Sequence, residues 1–214
     1  MDVNEYLRDP CGTLSIPYWK ARTLPVPDSV RIVHGRDWHG QYDDPRRFFR
    51  VKHGLKELPP PEFDYDTIAV DHQTRQLAEM IEASYRHTDI RVSEKDILRW
   101  KEHETFREDL WVYICAPGGI MAASGIAEYD ETCREGVIEW IQVLPEQRRK
   151  GMGKQIVTVL LNRLRDMGAE FVTASGDLDD PCHPLELYRA CGFEGDDVWY
   201  VCRTAETKPG GIDP

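Results

Sequence analysis

Leu144-Pro145-Glu146-Gln147-Arg148-Arg149-Lys150-Gly151-Met152-Gly153-Lys154-Gln155-Ile156, continuing through Val157-Thr158-Val159-Leu160-Leu161-Asn162-Arg163-Leu164, is the stretch on which the reading of this chain turns. A strand predicted over Val137–Val143 runs into a basic tripeptide, two glycines and a strongly apolar helix. Gly151 and Gly153 present no Cβ, so the backbone there can approach a ligand closely. The following helix aims its first, unpaired N–H groups at the same place. Guanidinium, ammonium, bare amides and a helix N-terminus together make a phosphate cradle, and the plainer alternative is a basic turn ahead of an ordinary helix.

Two nucleotide motifs are excluded by position. A Walker loop needs a glycine where Arg148 stands and a hydroxyl after Lys154, where the chain has Gln155. A Rossmann turn needs a third glycine at position 156, which is Ile156. What remains is Arg148-x-x-Gly151-x-Gly153, preceded by Leu144-Pro145-Glu146.

That pattern resembles the pyrophosphate-binding motif of the GNAT N-acetyltransferases, which bind acetyl-coenzyme A. A second motif follows in the right order: a strand-like Phe171–Ser175, then Leu187-Tyr188-Arg189-Ala190-Cys191-Gly192-Phe193, which is similar to the family's tyrosine followed by Gly-Phe. The likeness covers roughly Phe63 to Arg203. One departure is plain, since the family often carries Asn and Ala ahead of the tyrosine, where this chain has Pro181 and Pro184. The resemblance implies an acetyl-CoA-dependent N-acetyltransferase that transfers the acetyl group directly to an amine. The implied fold is α/β (α+β), a GNAT-like mixed central sheet with helices on both faces, here with an N-terminal extension. The other function weighed is a non-catalytic acetyl-CoA-binding sensor or regulatory module.

Composition narrows the partners. Of 214 residues, 38 are acidic and 27 basic, a net charge of −11 that argues against nucleic acid and against an anionic membrane surface. Six cysteines carry no C-x-x-C spacing and Cys182-His183 is only an adjacent pair, so no metal is expected and reduced thiols in a cytoplasmic protein are the simplest reading. The first residues lack the basic and apolar regions of a leader, and no run approaches membrane-spanning length. The oligomeric state is not legible here.

Along the chain, Pro59-Pro60-Pro61 marks a boundary. Residues 1–62 read as a proline-rich extension packed on the main domain through Tyr18, Trp19 and Trp38, with short strands at Val30–Val33 and Phe48–Val51. His34, His39 and His53 read as solvated loop residues. Residues 63–205 form the catalytic domain and 206–214 a flexible tail. Within the domain, Ile68–Val70 closes a first strand, Leu77, Met80, Ile81 and Tyr85 share a helical face, and Ser93 with Asp96 caps a second helix. Strands at Leu110–Cys115 and Ile120–Glu128 flank Pro117-Gly118-Gly119, Gly136–Val143 follows, and Val198–Cys202 is last.

Acetyl transfer needs a held cofactor, a neutral amine and a proton for the departing thiolate. Arg148, Arg149, Lys150 and the segment Gly151-Met152-Gly153-Lys154 are the candidates for the pyrophosphate, and the resemblance implies that the backbone of Ile141-Gln142-Val143 pairs with the pantetheine arm. An amide there would also polarise the thioester carbonyl, worth about 3 kcal/mol. Strand alternation puts Val137, Glu139, Ile141 and Val143 on one face, so Glu139 sits among apolar side chains with its pKa raised toward that of a base. Its alternatives are a surface glutamate at a sheet edge or one paired with an arginine, with Glu128 as substitute base. Tyr188 matches the family's usual general acid and also reads as a packing residue. Asp177, Asp179 and Asp180 read either as a solvated loop or as a lure for a cationic amine.

Overall fold

The structure, a computed structural model, describes residues 2–88 and 90–203. The expected tail at 206–214 lies outside the described residues. Eight strands form one sheet in the order β1-β8-β2-β7-β6-β5-β4-β3. The strands are β1 (Val30–His34), β2 (Arg46–His53), β3 (Asp66–Thr67), β4 (Trp111–Cys115), β5 (Met121–Asp130), β6 (Glu135–Val143), β7 (Phe171–Asp177) and β8 (Glu194–Arg203). Every neighbouring pair is antiparallel except β6 with β7.

Glycine decides how closely the main helix packs. A Cβ on Gly125 of β5 would fall 2.2 Å from Ile156, so its absence lets α6 (Met152–Asp166) lie directly on the sheet. Ile156, Val157, Leu160, Leu161 and Leu164 of α6 are buried against that face. Ile126, the next residue along β5, must point the other way. It lines one pocket with Trp100 of α5 (Glu94–Lys101), so helices cover both faces. α5 begins at the capping box seen in the sequence: Asp96 N–H donates to Ser93 Oγ and Ser93 N–H to Asp96 Oδ2, with Val92 and Ile97 buried beside it. α4 (Val70–Ser84) buries Leu77, Met80 and Ile81. The predicted strand at Ile68–Val70 is corrected: pairing ends at Thr67 and Val70 is already helical, because three apolar residues in a row carry no period.

The first 62 residues complete the sheet. β2 lies between β7 and β8, and β1 forms the edge beyond β8. Of three short helices, α2 (Pro10–Thr13) packs on β2 and β8, α1 (Val3–Arg8) reaches β6 through Tyr6, and α3 (Tyr18–Thr23) reaches β6 and β5 through Lys20 and Arg22. A buried polar knot fixes them. Glu135 of β6, fully buried, accepts from Tyr6 Oη at 2.7 Å, Thr173 Oγ1 at 2.5 Å and Arg50 Nη2 at 3.2 Å. Arg50 also reaches Tyr6 Oη and the Pro10 carbonyl, and Trp199 Nε1 donates to the Cys11 carbonyl. Loss of one partner from such a knot costs about 3–5 kcal/mol, because the remaining charge stays buried.

The histidine expectation is corrected at two of three positions. His53 ends β2 buried against Phe193, accepting from Leu55 N–H, and burial lowers its pKa. His34 pairs with Asp197 at 2.9 Å and packs edge-on to Trp199. Only His39 is exposed.

Candidate active site

Two features meet at the end of β6. The first is a split in the sheet. β6 and β7 pair only from Glu135↔Phe171 to Ile138↔Ala174, after which Glu139–Val143 has no partner on the β7 side. The Ile141 and Val143 carbonyls there are taken by Tyr85 and Arg148, and the backbone groups left without such a partner can bond something else. Past Val143 the chain turns through the basic loop into α6. Arg149 and Gly151 both take left-handed backbone, at φ 62° and 83°. Gly151 is the N-cap of α6 and supplies no side-chain cap, so the first amides of a fifteen-residue helix point outward. A Cβ at Gly151 would meet only the Phe63 ring at 3.9 Å, and one at Gly153 would touch Leu187 and Val143. This cradle fits a pyrophosphate through its amides.

The side chains around it are deployed differently. Arg148 folds back: Nε donates to the Val143 carbonyl at 3.2 Å, Nη2 to the Ser84 carbonyl at 2.7 Å, and Nη1 meets Cys182 Sγ. It braces the end of β6 against α4. Lys150 donates to Gln147, and Arg149 and Lys154 are exposed. Met152 is half-buried at the first turn of α6.

The second feature is a small aromatic pocket of about 160 Å³, lined by Lys20, Trp100, His103, Trp111, Ile126, Glu128, Glu139 and Trp140. A bulge shapes it. Ile126 pairs with Trp140 and Ala127 with Ile138, which leaves Glu139 as the extra residue. The expectation that Glu139 shares a face with Ile141 and Val143 is therefore corrected. Alternation breaks at Glu139, sending it into the pocket with Trp140, while Ile141 turns to Gly125 and α6. Gln142 is buried on the Ser124 face, where Ser124 Oγ donates to its Oε1 at 2.8 Å.

Glu139 forms an ion pair with Lys20 of α3. Glu128 stands across from it, buried, with Oε1 3.4 Å from His103 Nδ1 and Oε2 without a partner. Burial, and next the Glu139 charge, push the Glu128 carboxyl up to about 8, and Lys20 opposes them. His103 is pushed down by burial and by Lys20. Trp100 and Trp140 stack at 5.3 Å, and Trp19 tilts over His103 at 5.0 Å. The indole Nε1 atoms of Trp19 and Trp111 are also buried and unpartnered.

Tyr188, on α7 (Pro184–Ala190), is buried between Phe49 and Phe193. Burial first, then Tyr85 and Glu139, drive its hydroxyl pKa upward, so it holds its proton. Tyr85 closes α4 and donates to the Ile141 carbonyl at 3.1 Å, beside Trp140. Tyr85, Lys20, Trp100, His103 and Trp140 were missed as site residues. The available signals were Trp100 and His103 three apart and Trp140 beside Glu139.

Asp177 and Asp179 are taken up by Arg46 and Arg47 of β2, and Asp180 by His87 at 3.2 Å. Donor atoms of His87, Asp180 and Cys182 lie within 4.8 Å of one another. Arg148 points its guanidinium at the same sulfur, a charge that any cation there would face. Among the described residues, no helix is long and apolar enough to cross a membrane.

The model of the acetyltransferase (GNAT) family matches residues 74–193. None of the curated proteins matches the sequence. Among solved structures, a GCN5-related N-acetyltransferase from Sphaerobacter thermophilus aligns at TM-score 0.64 and 17% identity, over 75% of this chain and 51% of its own. A GNAT-family acetyltransferase from Colwellia psychrerythraea aligns at 0.62 and 12%, over 81% and 64%. The PaiA N-acetyltransferase of Thermoplasma acidophilum, solved with coenzyme A, aligns at 0.50 and 13%, over 65% and 98%. This chain thus spans about half the length of the Sphaerobacter structure. At these identities the likeness is one of fold.

Proposed function

The chain belongs to the acetyltransferase (GNAT) family, and from that premise we propose that it is an N-acetyltransferase that transfers the acetyl group of acetyl-CoA directly to an amine bound in the Glu128–Glu139 pocket. The observation that carries this reading is the split between β6 and β7, which runs from that pocket to the uncapped N-terminus of α6. Membership in this family does not favour a module that only binds.

Acetyl-CoA, when bound, supplies the acetyl group as a thioester. The amides of Gly151 to Lys154 hold its pyrophosphate, with Arg149, Lys150 and Lys154 adding positive charge and Arg148 bracing the strand that ends there. The open edge of Ile141, Gln142 and Val143 pairs with the pantetheine arm, and an amide on that edge polarises the thioester carbonyl. An amine arrives as its ammonium. The Glu128–Glu139 pair draws it in, and Glu128, whose pKa lies near neutrality, accepts the proton. Glu139 is matched by the Lys20 ammonium, which an external ammonium would have to displace. Tyr188, protonated at any working pH, supplies the proton to the departing sulfur. The six cysteines are free, which supports a reducing, cytoplasmic setting.

A panel of amines (polyamines, aminoglycosides, amino acids, peptide N-termini and lysine peptides) assayed for acetyl-CoA-dependent thiol release tests the reading. Amine-dependent release is expected for at least one class. Failure of acetyl-CoA to bind at all, measured by calorimetry, refutes it.

A further inference from the structure

We propose that Lys20 is itself an acetyl acceptor, a self-modification site that α3 delivers into the pocket; this rests on the acyl-transfer reading above. α3 is anchored immediately ahead of the lysine. Tyr18 is buried with its N–H 3.5 Å from Glu135 Oε2, and Trp19 is buried against His103. Lys20 is thereby laid across the pocket with Nζ on Glu139, its side chain 22% exposed and that of Glu139 16%. Among the described residues it is the one lysine or arginine lining the pocket, and a linear primary ammonium is the functional group that an N-acetyltransferase deprotonates. Two carboxylates face it. Glu139 is in contact, and Glu128 presents a buried Oε2 with no partner.

Reach permits the reaction. Ile141 lies two residues beyond Glu139, about 7 Å along the strand. A lysine stem swings that far about its own rotamers while α3 stays put. The ammonium sheds one proton to the carboxylate pair and becomes a nucleophile. Nζ then attacks the thioester carbonyl of acetyl-CoA, the C–N bond forms, and the C–S bond breaks with its electron pair on sulfur. Sulfur takes a proton through Tyr188, and the second proton shed by nitrogen leaves through the carboxylates. The products are acetyl-lysine, the CoA thiol and one released proton. Acetyl-Lys20 is uncharged, so Glu139 loses its counter-charge and becomes available to an external ammonium.

The test uses the full chain incubated with acetyl-CoA bearing a deuterated acetyl group, followed by intact-mass and peptide mapping. One acetyl is expected on Lys20, with a first-order rate constant independent of protein concentration and slowed about tenfold or more by Glu128→Gln. Lys20→Arg abolishes the mass gain. Labelling of Lys20 no faster than of exposed Lys56 and Lys95, with acetyl-CoA binding intact by calorimetry, overturns the proposal and leaves the acyl-transfer reading standing. A rate proportional to protein concentration also overturns it, since transfer then runs between copies. No acetyl-CoA binding overturns both.

Discussion

Replacing Glu128 by glutamine should make the protein more stable while impairing it as an enzyme. The carboxyl moves from an ordinary 4.5 to about 8 in the folded chain, driven by burial and then by the Glu139 charge. A folded-state pKa above the unfolded one means that the unfolded chain releases this proton first. The stability tied to the protonated carboxyl is complete below about pH 4.5 and is lost as pH rises toward 8, at about 1.4 kcal/mol per unit. Near pH 7 the loss from this one group is about 3 kcal/mol, a large share of the 5–15 kcal/mol typical of a domain. Glutamine has nearly the same shape and keeps an acceptor oxygen, but it cannot ionise. Urea denaturation from about pH 5 to about pH 8 should show mutant and wild type converging at the acid end and diverging by about 3 kcal/mol toward neutrality. A difference that stays flat with pH would refute the claim that the folded protein holds this proton, and with it the role of Glu128 as the proton-accepting group.

Gly151→Asp places an anion in the cradle and should weaken acetyl-CoA binding in calorimetry by about tenfold or more. Gly151→Ala bears only the left-handed strain of about 1–2 kcal/mol, so equal affinity in the two variants would show that charge is irrelevant there. Tyr188→Phe keeps the ring between Phe49 and Phe193 and should lower turnover about 100-fold with acetyl-CoA affinity unchanged; full turnover under chemistry-limited conditions would reduce Tyr188 to packing. Glu135→Gln strands the Arg50 charge and should cost about 3–5 kcal/mol in urea unfolding, with Arg50→Met in the same chain recovering most of it. No recovery would mean that shape, not charge, governs the knot.

What could be read from the sequence divides along physical lines. α6, the Ser93 box and the β4–β5 hairpin carry local signals: a 3.6-residue period, a reciprocal cap and a glycine turn. These depend on residues within a few positions of one another, so spacing reveals them. The GNAT likeness, confirmed over 74–193, rested on two such local motifs. The pocket is different. The bulge that turns Glu139 away from Ile141 depends on how β5 and β6 slide past each other, and strict alternation gives the wrong face for whatever follows it. Lys20 meets Glu139 across 119 positions, and no composition or period links them. The arginines that engage the acidic loop lie about as far away. Strand propensity marked Phe48–Val51 as extended but says nothing about which strands would flank it.

That placement of β2 has a consequence for how the chain is made. Arg50 pairs across the ladder with Ser175 on one side and Asp197 on the other. A ribosome delivers this strand early, and both of its neighbours more than a hundred residues later. Until β7 and β8 emerge, β2 has open hydrogen-bonding edges, and until β7 does, Arg50 lacks Thr173 and Ser175. The sheet therefore cannot assemble in the order of synthesis, because an earlier strand fills the space between two much later ones. Such distant pairing slows folding and prolongs the exposure of unpaired edges. Trimming the chain to the residues that match the family, 74–193, would not remove an ornament; it would take away β1, β2, β3 and β8 and leave β7 as a bare edge.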